Sequence, residues 1–218
     1  MNTLSRLSLA LGAGALSLAA AVPAIAAEAP AAVQAYKVQH ANPAGSYTVD
    51  SDHSSVQFSI GHAGVALVDG AFTKVSGSFT FDPRDPKADK ADITVQVDSV
   101  TTYLPARDKM VAGAGFLDAA KYPTMHFVGT RYVPHGPRGG VLHGELSLHG
   151  VTRPVSFRVR LIGAGDVPSL PKPWGGYLSG FVATGVIDRT EFGIDTFSGG
   201  IGHKIHVRVA LESVRNPS

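Results

Sequence analysis

Short runs of alternating apolar and polar residues fill this chain from about residue 46 almost to its end. Clear examples lie at residues 56–60, 93–97 and 155–161. A period of two is typical of β-strands with one dry face, because successive side chains point to opposite sides of a strand. A chain with many such strands must bury their dry faces together. The pattern therefore predicts an antiparallel barrel or sandwich around one shared interior.

Turn signals and breaks in the alternation divide the chain into eight or nine predicted strands. The pattern predicts two separate strands at Tyr47–Val49 and Ser54–Ile60, and bends or bulges at Gly70 and Gly77. Residues 166–176 hold three prolines and are predicted to form a long loop.

One segment, about 105–120, lacks the alternation and contains helix-forming residues. Pro105 suits the first position of a helix, because the N–H that proline lacks has no partner there in any case. Gly113 and Gly115 then interrupt the helical pattern. We therefore predict a single helical segment at about 105–120, lying across one end of the barrel.

The first 26 residues have the features of an export signal. Arg6 is followed by a mostly apolar stretch, and Ala24-Ile25-Ala26 provides the small residues of a cleavage site. A membrane anchor is the weaker alternative, because the apolar stretch is short and ends at Pro23. We predict cleavage after about Ala26 and export to the periplasm. A flexible arm at 27–45 follows, with a short helix near 31–36 as the alternative, and then one domain at 46–215.

The composition excludes several classes of function. The chain has no cysteine, which removes disulfides, thiol catalysis and cysteine-based metal sites. Cleavage takes away Arg6 and no acid, so the 19 basic and 17 acidic side chains become 18 and 17. With balanced charge and no run of Lys or Arg, a nucleic-acid partner is not expected.

Motifs along residues 47–214 occur in a specific order. They include Tyr47-Thr-Val-Asp50-Ser-Asp-His53-Ser54, Arg107-Asp108-Lys109-Met110, Tyr122-Pro123, Leu148-His149-Gly150 and Asp188-Arg189-Thr-Glu-Phe192-Gly193. In order and spacing they resemble the YceI-like family of exported, lipocalin-like barrels that bind polyisoprenoid lipids. Lys109 or Met110 stands where that family has a histidine, and Leu117 stands where it has a second phenylalanine before Asp118.

The resemblance implies an all-β fold, an eight-stranded antiparallel lipocalin-like barrel with an apolar lumen. It implies that the lumen holds a polyisoprenoid, an isoprenoid quinone or another long-chain or fatty lipid, without catalysis, and it leaves room for a homodimer. An outer-membrane barrel is a further alternative. The outward phase is polar, as at Ser55, Gln57 and Ser59, which disfavours stable insertion into a membrane.

The phase of the alternation predicts which side chains face the lumen, and this inward set includes Val75, Val97, Leu148 and Val159 in addition to the residues predicted to bind lipid. The predicted lipid-binding residues are Val56, Phe58, Ile60, His62, Phe79, Phe81, Ile93, Val95, Met125, Phe127, Leu142, Leu146, Phe157 and Phe181. Gly129 and Gly144 share these phases, and they either leave room for a ligand or are covered by bulky neighbours. The alternative function is a structural or stress-response protein with a filled core that acts through a surface partner.

Polar residues in the motifs have structural roles as well as functional ones. His53 is predicted to stabilise a turn with Asp50, with contact to a lipid head group as the alternative. Arg107 is predicted to pair with Asp118 rather than with a head group, and Asp108 to bind free N–H groups at the helix start. Arg189 is predicted to pin a loop that closes the barrel.

No catalytic or cofactor motif stands out in the chain. The nine histidines lack the spacings of known metal sites, so no metal ligands are predicted. There is no nucleophile elbow and no glycine-rich phosphate loop. The sequence therefore predicts a binding protein without catalytic residues or a cofactor.

Overall fold

The computed structural model describes residues 42–168 and 170–217. The predicted signal peptide and nearly all of the predicted arm lie outside the described residues. The elements are β1 Gly45–His62, β2 Ala66–Phe72, β3 Val75–Phe81, β4 Lys90–Gln96, β5 Val100–Thr101, α1 Pro105–Ala112, β6 Thr124–Pro134, β7 Gly139–Leu148, β8 Val151–Val167, β9 Gly176–Asp188 and β10 Ile201–Arg215.

The strands close into an antiparallel barrel. Strands β3, β4, β6, β7, β8, β9 and β10 pair in this order, and β1 closes the ring by pairing with β10 and β3. Strand β2 pairs with the second half of β1, and β5 pairs with β2. The ten strands therefore fill eight positions in the wall, which confirms the prediction of an eight-stranded barrel with one helix.

Strand β1 is continuous where the sequence predicted two strands. It pairs with β10 along both halves, and residues 51–54 bulge out opposite Leu211 alone. The Ser54 hydroxyl accepts a hydrogen bond from the Glu212 N–H (3.1 Å) and donates one to the Glu212 carbonyl oxygen (3.3 Å). The bulge interrupts the alternation without ending the strand, so the two-strand prediction was wrong.

Three other predicted boundaries need correction. The helix ends at Ala112, and residues 113–121 form turns in which Asp118 has a φ of 47°. Strand β8 runs to Val167, which pairs with Gly176, so the predicted loop is shorter. A break at residues 73–74 separates β2 from β3, and the strand pairing runs through Gly70 and Gly77 without a register shift, so the bulges predicted at these glycines are not present.

The barrel has two distinct ends. At the helix end, Leu117 packs against two clusters of buried apolar side chains, one around Phe192 and one around Val75, so the helical segment lies across this end as predicted. At the opposite end, which carries the β3–β4 turn and is called the turn end below, Tyr47 stacks on Phe79 with ring centroids 4.9 Å apart. Phe79 meets Phe181 edge to face at 5.5 Å.

Candidate functional site

A cavity of about 410 Å³ runs inside the barrel between these two ends. Its lining extends along β10 from Ile201 to Leu211. At about 3.3 Å per residue and the usual strand tilt of a barrel, this corresponds to roughly 25 Å along the barrel axis. The lining side chains are mostly aliphatic or aromatic. The cavity is therefore elongated, apolar and within the size range of ligand sites, about 300–1,000 Å³.

All of the predicted lipid-binding residues line this cavity. They are Val56, Phe58, Ile60, His62, Phe79, Phe81, Ile93, Val95, Met125, Phe127, Leu142, Leu146, Phe157 and Phe181. Leu148 and Val159 line it as well, whereas Val75 and Val97, also predicted to face inward, are buried but do not belong to the cavity lining. Lipid binding by the lining residues stays a prediction.

Besides apolar strand residues such as Ile205, Val207, Val209 and Leu211 of β10, which the prediction left out, the sequence analysis missed two further groups of lining residues. Met110, Val111, Phe116 and Leu117 reach the cavity from the helix and the turns after it, where no strand alternation marks an inward face. The second group is polar and comprises Thr80, Asp89, Lys90, Thr102, Arg107, Tyr132 and Arg189. The only available signal for the second group was proximity to strand ends, which does not show where a side chain points.

Several inward rings lie close against glycines of neighbouring strands. A Cβ atom at Gly185 would lie 2.8 Å from Cδ1 of Phe157, and one at Gly144 would lie 2.6 Å from the Phe127 ring. The rings of Phe58 and Tyr132 cover Gly70 and Gly140 in the same way. Each glycine lets a ring lie against the wall, which keeps the centre of the barrel open.

The glycines on lumen phases do not themselves add room for a ligand. The space beside Gly144 is filled by Phe127, and a Cβ at Gly129 would lie 3.1 Å from both Ala91 Cβ and Leu142 Cδ1. Bulky neighbours therefore cover these positions, which was the second of the two sequence interpretations.

Arg107 contacts Thr102 and not Asp118, so the predicted ion pair was wrong. Its Nε donates to the Thr102 hydroxyl at 2.9 Å, and its Nη2 donates to the Thr102 carbonyl oxygen at 2.6 Å. Asp108 accepts hydrogen bonds from the Thr102 hydroxyl and N–H and not from N–H groups of the helix start, so its predicted capping role was wrong. The hydroxyl contact is the main reason that the pKa of Asp108 is lowered. The chain reverses at Tyr103, with a φ of 65°, which brings Thr102 back against the helix.

The family model described as the YceI-like domain matches residues 47–213. The chain belongs to the YceI-like family. Protein YceI of Escherichia coli is 37% identical over 174 residues, which cover 79% of this chain and 88% of that protein.

Solved structures show the same barrel. Burkholderia cenocepacia BcnA has a TM-score of 0.66 at 23% identity, covering 75% of this chain and 98% of that one. The Campylobacter jejuni YceI protein has a TM-score of 0.59 at 25% identity, covering 71% and 88%. A polyisoprenoid-binding domain from Saccharophagus degradans has a TM-score of 0.55 at 14% identity, covering 78% and 98%.

The β1 bulge of this YceI-like barrel gathers three potential metal ligands. His53 Nδ1 lies 2.9 Å from Asp50 Oδ2, and this hydrogen bond is the main reason that the pKa of His53 is raised. Glu212, opposite Asp50 in the register, has a pKa raised by burial. Ligand atoms of these three residues lie within 4.8 Å of one another. The predicted turn contact between His53 and Asp50 is present. The sequence analysis did not predict that Glu212 joins them, because that grouping depends on the pairing of β1 with β10.

Arg189 pins the loop before β10 from a buried position, with 2% of its surface exposed. Its guanidinium donates to the carbonyl oxygens of Gly202, Ile194, Thr196 and Ile201 at 2.7–3.0 Å. Burial lowers its pKa. The 3-10 turn at residues 189–192 ends at Gly193, with a φ of 75°. This arrangement agrees with the predicted structural role of Arg189 in closing the helix end.

Among the described residues, the helix is too short and too polar to cross a membrane. The apolar cavity is the candidate ligand site of this barrel, and its lining includes polar side chains towards its two ends.

Proposed function

We propose that this protein is a periplasmic carrier or buffer for a polyisoprenoid or similar long-chain amphiphilic lipid. The lipid chain lies in the barrel lumen, and the protein performs no chemistry on it. The observation that carries the proposal is the elongated apolar cavity of about 410 Å³. The polyisoprenoid-binding description of the Saccharophagus degradans domain with the same fold supports the ligand class.

The physical driving force is removal of apolar surface from water. Burial of hydrocarbon in such a lumen contributes about 25 cal/mol per Å² of apolar area. The inward rings already lie against the wall, so the lipid does not need to displace them. A preformed cavity reduces the ordering cost of binding, which favours a storage or carrier role.

The polar groups in the lining support binding rather than catalysis. Arg107 and Arg189 direct their N–H groups to Thr102 and to backbone carbonyl oxygens, which gives them structural roles. The periplasmic location is supported by the export features of residues 1–26, and fractionation of the native host tests it.

Organic extraction and native mass spectrometry of the protein purified from its own host test the proposed function. We expect a long-chain lipid bound at one molecule per barrel, and we expect an added isoprenoid quinone to bind to lipid-free protein. Empty protein that also fails to bind the quinone would overturn the proposal.

Two neighbouring substitutions on β6 separate an effect on the lumen from an effect on the surface. Phe127 lines the cavity, whereas Val128 is 37% exposed on the outside. Phe127→Asp should abolish quinone binding, because it places an unpaired charge in an apolar site. Val128→Asp is the matched control and should leave binding unchanged. Thermal unfolding of both variants shows whether the barrel remains folded.

A second candidate function is action through a surface partner. It is favoured by exposed apolar side chains on loops at the helix end, such as Val65 (87% exposed), Tyr103 (77%) and Phe197 (63%). If the barrel is purified without lipid and binds no quinone, this candidate gains support. Homodimer formation stays a prediction, and light scattering of the purified protein measures it.

A further inference from the structure

A buried carboxylate lies at the turn end of the cavity. Asp89 is 6% exposed and belongs to the cavity lining. Its Oδ1 accepts a hydrogen bond from the Asp82 N–H at 2.7 Å, which fixes the carboxylate orientation. Its Oδ2 is buried and has no hydrogen-bond partner among the described residues. A buried oxygen without a donor costs about 1–3 kcal/mol, so this atom calls for a partner.

The surroundings of Asp89 define what that partner can be. Tyr132 also lines the cavity, and the charge of Asp89 adds to burial in raising the pKa of Tyr132. Thr80 is not available, because its hydroxyl donates to the Ala88 carbonyl oxygen and accepts from the Lys90 N–H. None of the described residues donates to Asp89 Oδ2, which leaves this oxygen able to accept a hydrogen bond from a group that enters the cavity.

The negative charge of the Asp89 carboxylate restricts which lipid head groups can bind beside it. Burial is the main reason that the pKa of Asp89 is raised, so negative charge is already unfavourable at this position, and a phosphate would add a second negative charge. Lys90 also lies at the turn end of the cavity, but its side chain is exposed, and an exposed cation offsets little of this repulsion. A neutral hydroxyl or amide N–H satisfies Asp89 without that cost.

We propose that Asp89 is the head-group site of the cavity and accepts a hydrogen bond from a neutral hydroxyl or amide N–H of the bound lipid. The proposal rests on the proposed function, because the lipid chain must occupy the lumen. It adds the chemical class of the head group and places that group at the turn end, opposite the helix.

Three probes with one chain and different head groups test this proposal. Geranylgeraniol offers a hydroxyl donor, geranylgeranyl acetate offers only acceptors, and geranylgeranyl phosphate is anionic. Displacement of a fluorescent fatty probe at pH 8 gives the three dissociation constants. In the unmodified protein, we expect the alcohol to bind about tenfold more tightly than the acetate, and the phosphate to bind most weakly.

Asp89→Asn is the decisive variant. Asparagine retains an acceptor for the Asp82 N–H and presents an NH₂ donor in place of Oδ2. The preference for the alcohol should disappear or reverse in favour of the acetate. Asp85→Asn, which changes an exposed carboxylate in the same turn, is the matched control and should retain the preference.

The outcomes separate this proposal from the proposed function. If the alcohol and acetate bind equally in the unmodified protein, the head-group assignment fails while lipid binding stands. The assignment also fails if the phosphate binds most tightly, or if Asp89→Asn keeps the preference of the unmodified protein. If none of the three probes binds, the proposed function itself fails. The comparison in the unmodified protein needs no variant, so a folding defect in Asp89→Asn does not leave the proposal untested.

Discussion

Replacement of Gly185 by alanine should push the Phe157 ring away from the wall and into the lumen. The new Cβ would lie 2.8 Å from Phe157 Cδ1 and 3.0 Å from both Phe157 Cε1 and the Ser156 carbonyl oxygen. Ordinary contacts of a Cβ atom begin at 3.4 Å, so the ring must retreat by about 0.6 Å. Phe157 also meets Phe127 edge to face at 5.4 Å, so the second ring resists the shift.

The expected loss of stability is modest and can be bounded. Overpacking of a well-packed interior typically costs about 1–3 kcal/mol. Replacement of glycine by alanine recovers about 0.4–1 kcal/mol by restricting the unfolded chain. The net loss is therefore about 1 kcal/mol, or roughly 2–4 °C in the thermal midpoint for a domain of this size. Because the lumen narrows, quinone binding should also weaken a few-fold.

A double-mutant cycle with Phe157→Leu tests the cause of that loss. If the Phe157 ring obstructs the new methyl group, the losses in free energy of unfolding of Gly185→Ala and Phe157→Leu should not be additive. Their sum should exceed the loss of the double variant by about 1 kcal/mol. Circular dichroism during thermal unfolding provides the measurement. Gly199→Ala is the control, since a Cβ there meets nothing within 4 Å. Additive losses, or a Gly185→Ala variant as stable as the unmodified protein, would refute the reasoning.

Three further substitutions test the polar contacts. Arg189→Lys should lower the free energy of unfolding by about 3 kcal/mol, measured by denaturant titration, because lysine cannot reach all four carbonyl oxygens. The Thr190 hydroxyl and then Lys204 hold the pKa of Asp188 at about 2. Stability should therefore fall as the pH drops from about 4 to about 2, and Asp188→Asn should lose less over this range. Burial raises the pKa of Tyr47 to about 12, so stability should fall as the pH rises from about 10 to about 12, and less so in Tyr47→Phe.

The alternation predicted the wall of the barrel because that signal is local. Inward and outward faces differ by one residue along a strand, so the phase assigned Phe58, Phe127 and Phe157 to the lumen without knowledge of strand order. Strand ends were less predictable. The β1 bulge is held by Ser54 and Glu212, residues far apart in the chain, and the alternation around Ser54 does not show that pairing.

Polar side chains were harder to place, because several partners fit the same local sequence. Arg107 could reach Thr102 or Asp118 by sequence distance, and the reversal at Tyr103 decided the choice. Asp89 follows a turn rich in proline and charge, a context that is typical of solvated carboxylates. Its burial comes from packing at the turn end, which the sequence does not encode locally.

The same distinction between local and long-range signals determines how specificity can vary in a barrel of this kind. The inward phase of the alternation requires only apolar side chains, so many sequences can build an equally apolar lumen. The wall by itself therefore selects only for the length and width of the bound lipid chain. A group such as Asp89 lies outside the alternating pattern, in the turn between β3 and β4. Changes at that turn can therefore alter which head group is accepted while the barrel and its affinity for hydrocarbon stay the same. If Asp89→Asn changes the head-group preference without changing the affinity for geranylgeranyl acetate by more than a few-fold, wall and turn act as separable determinants. A parallel loss of affinity for all three probes would show that they do not.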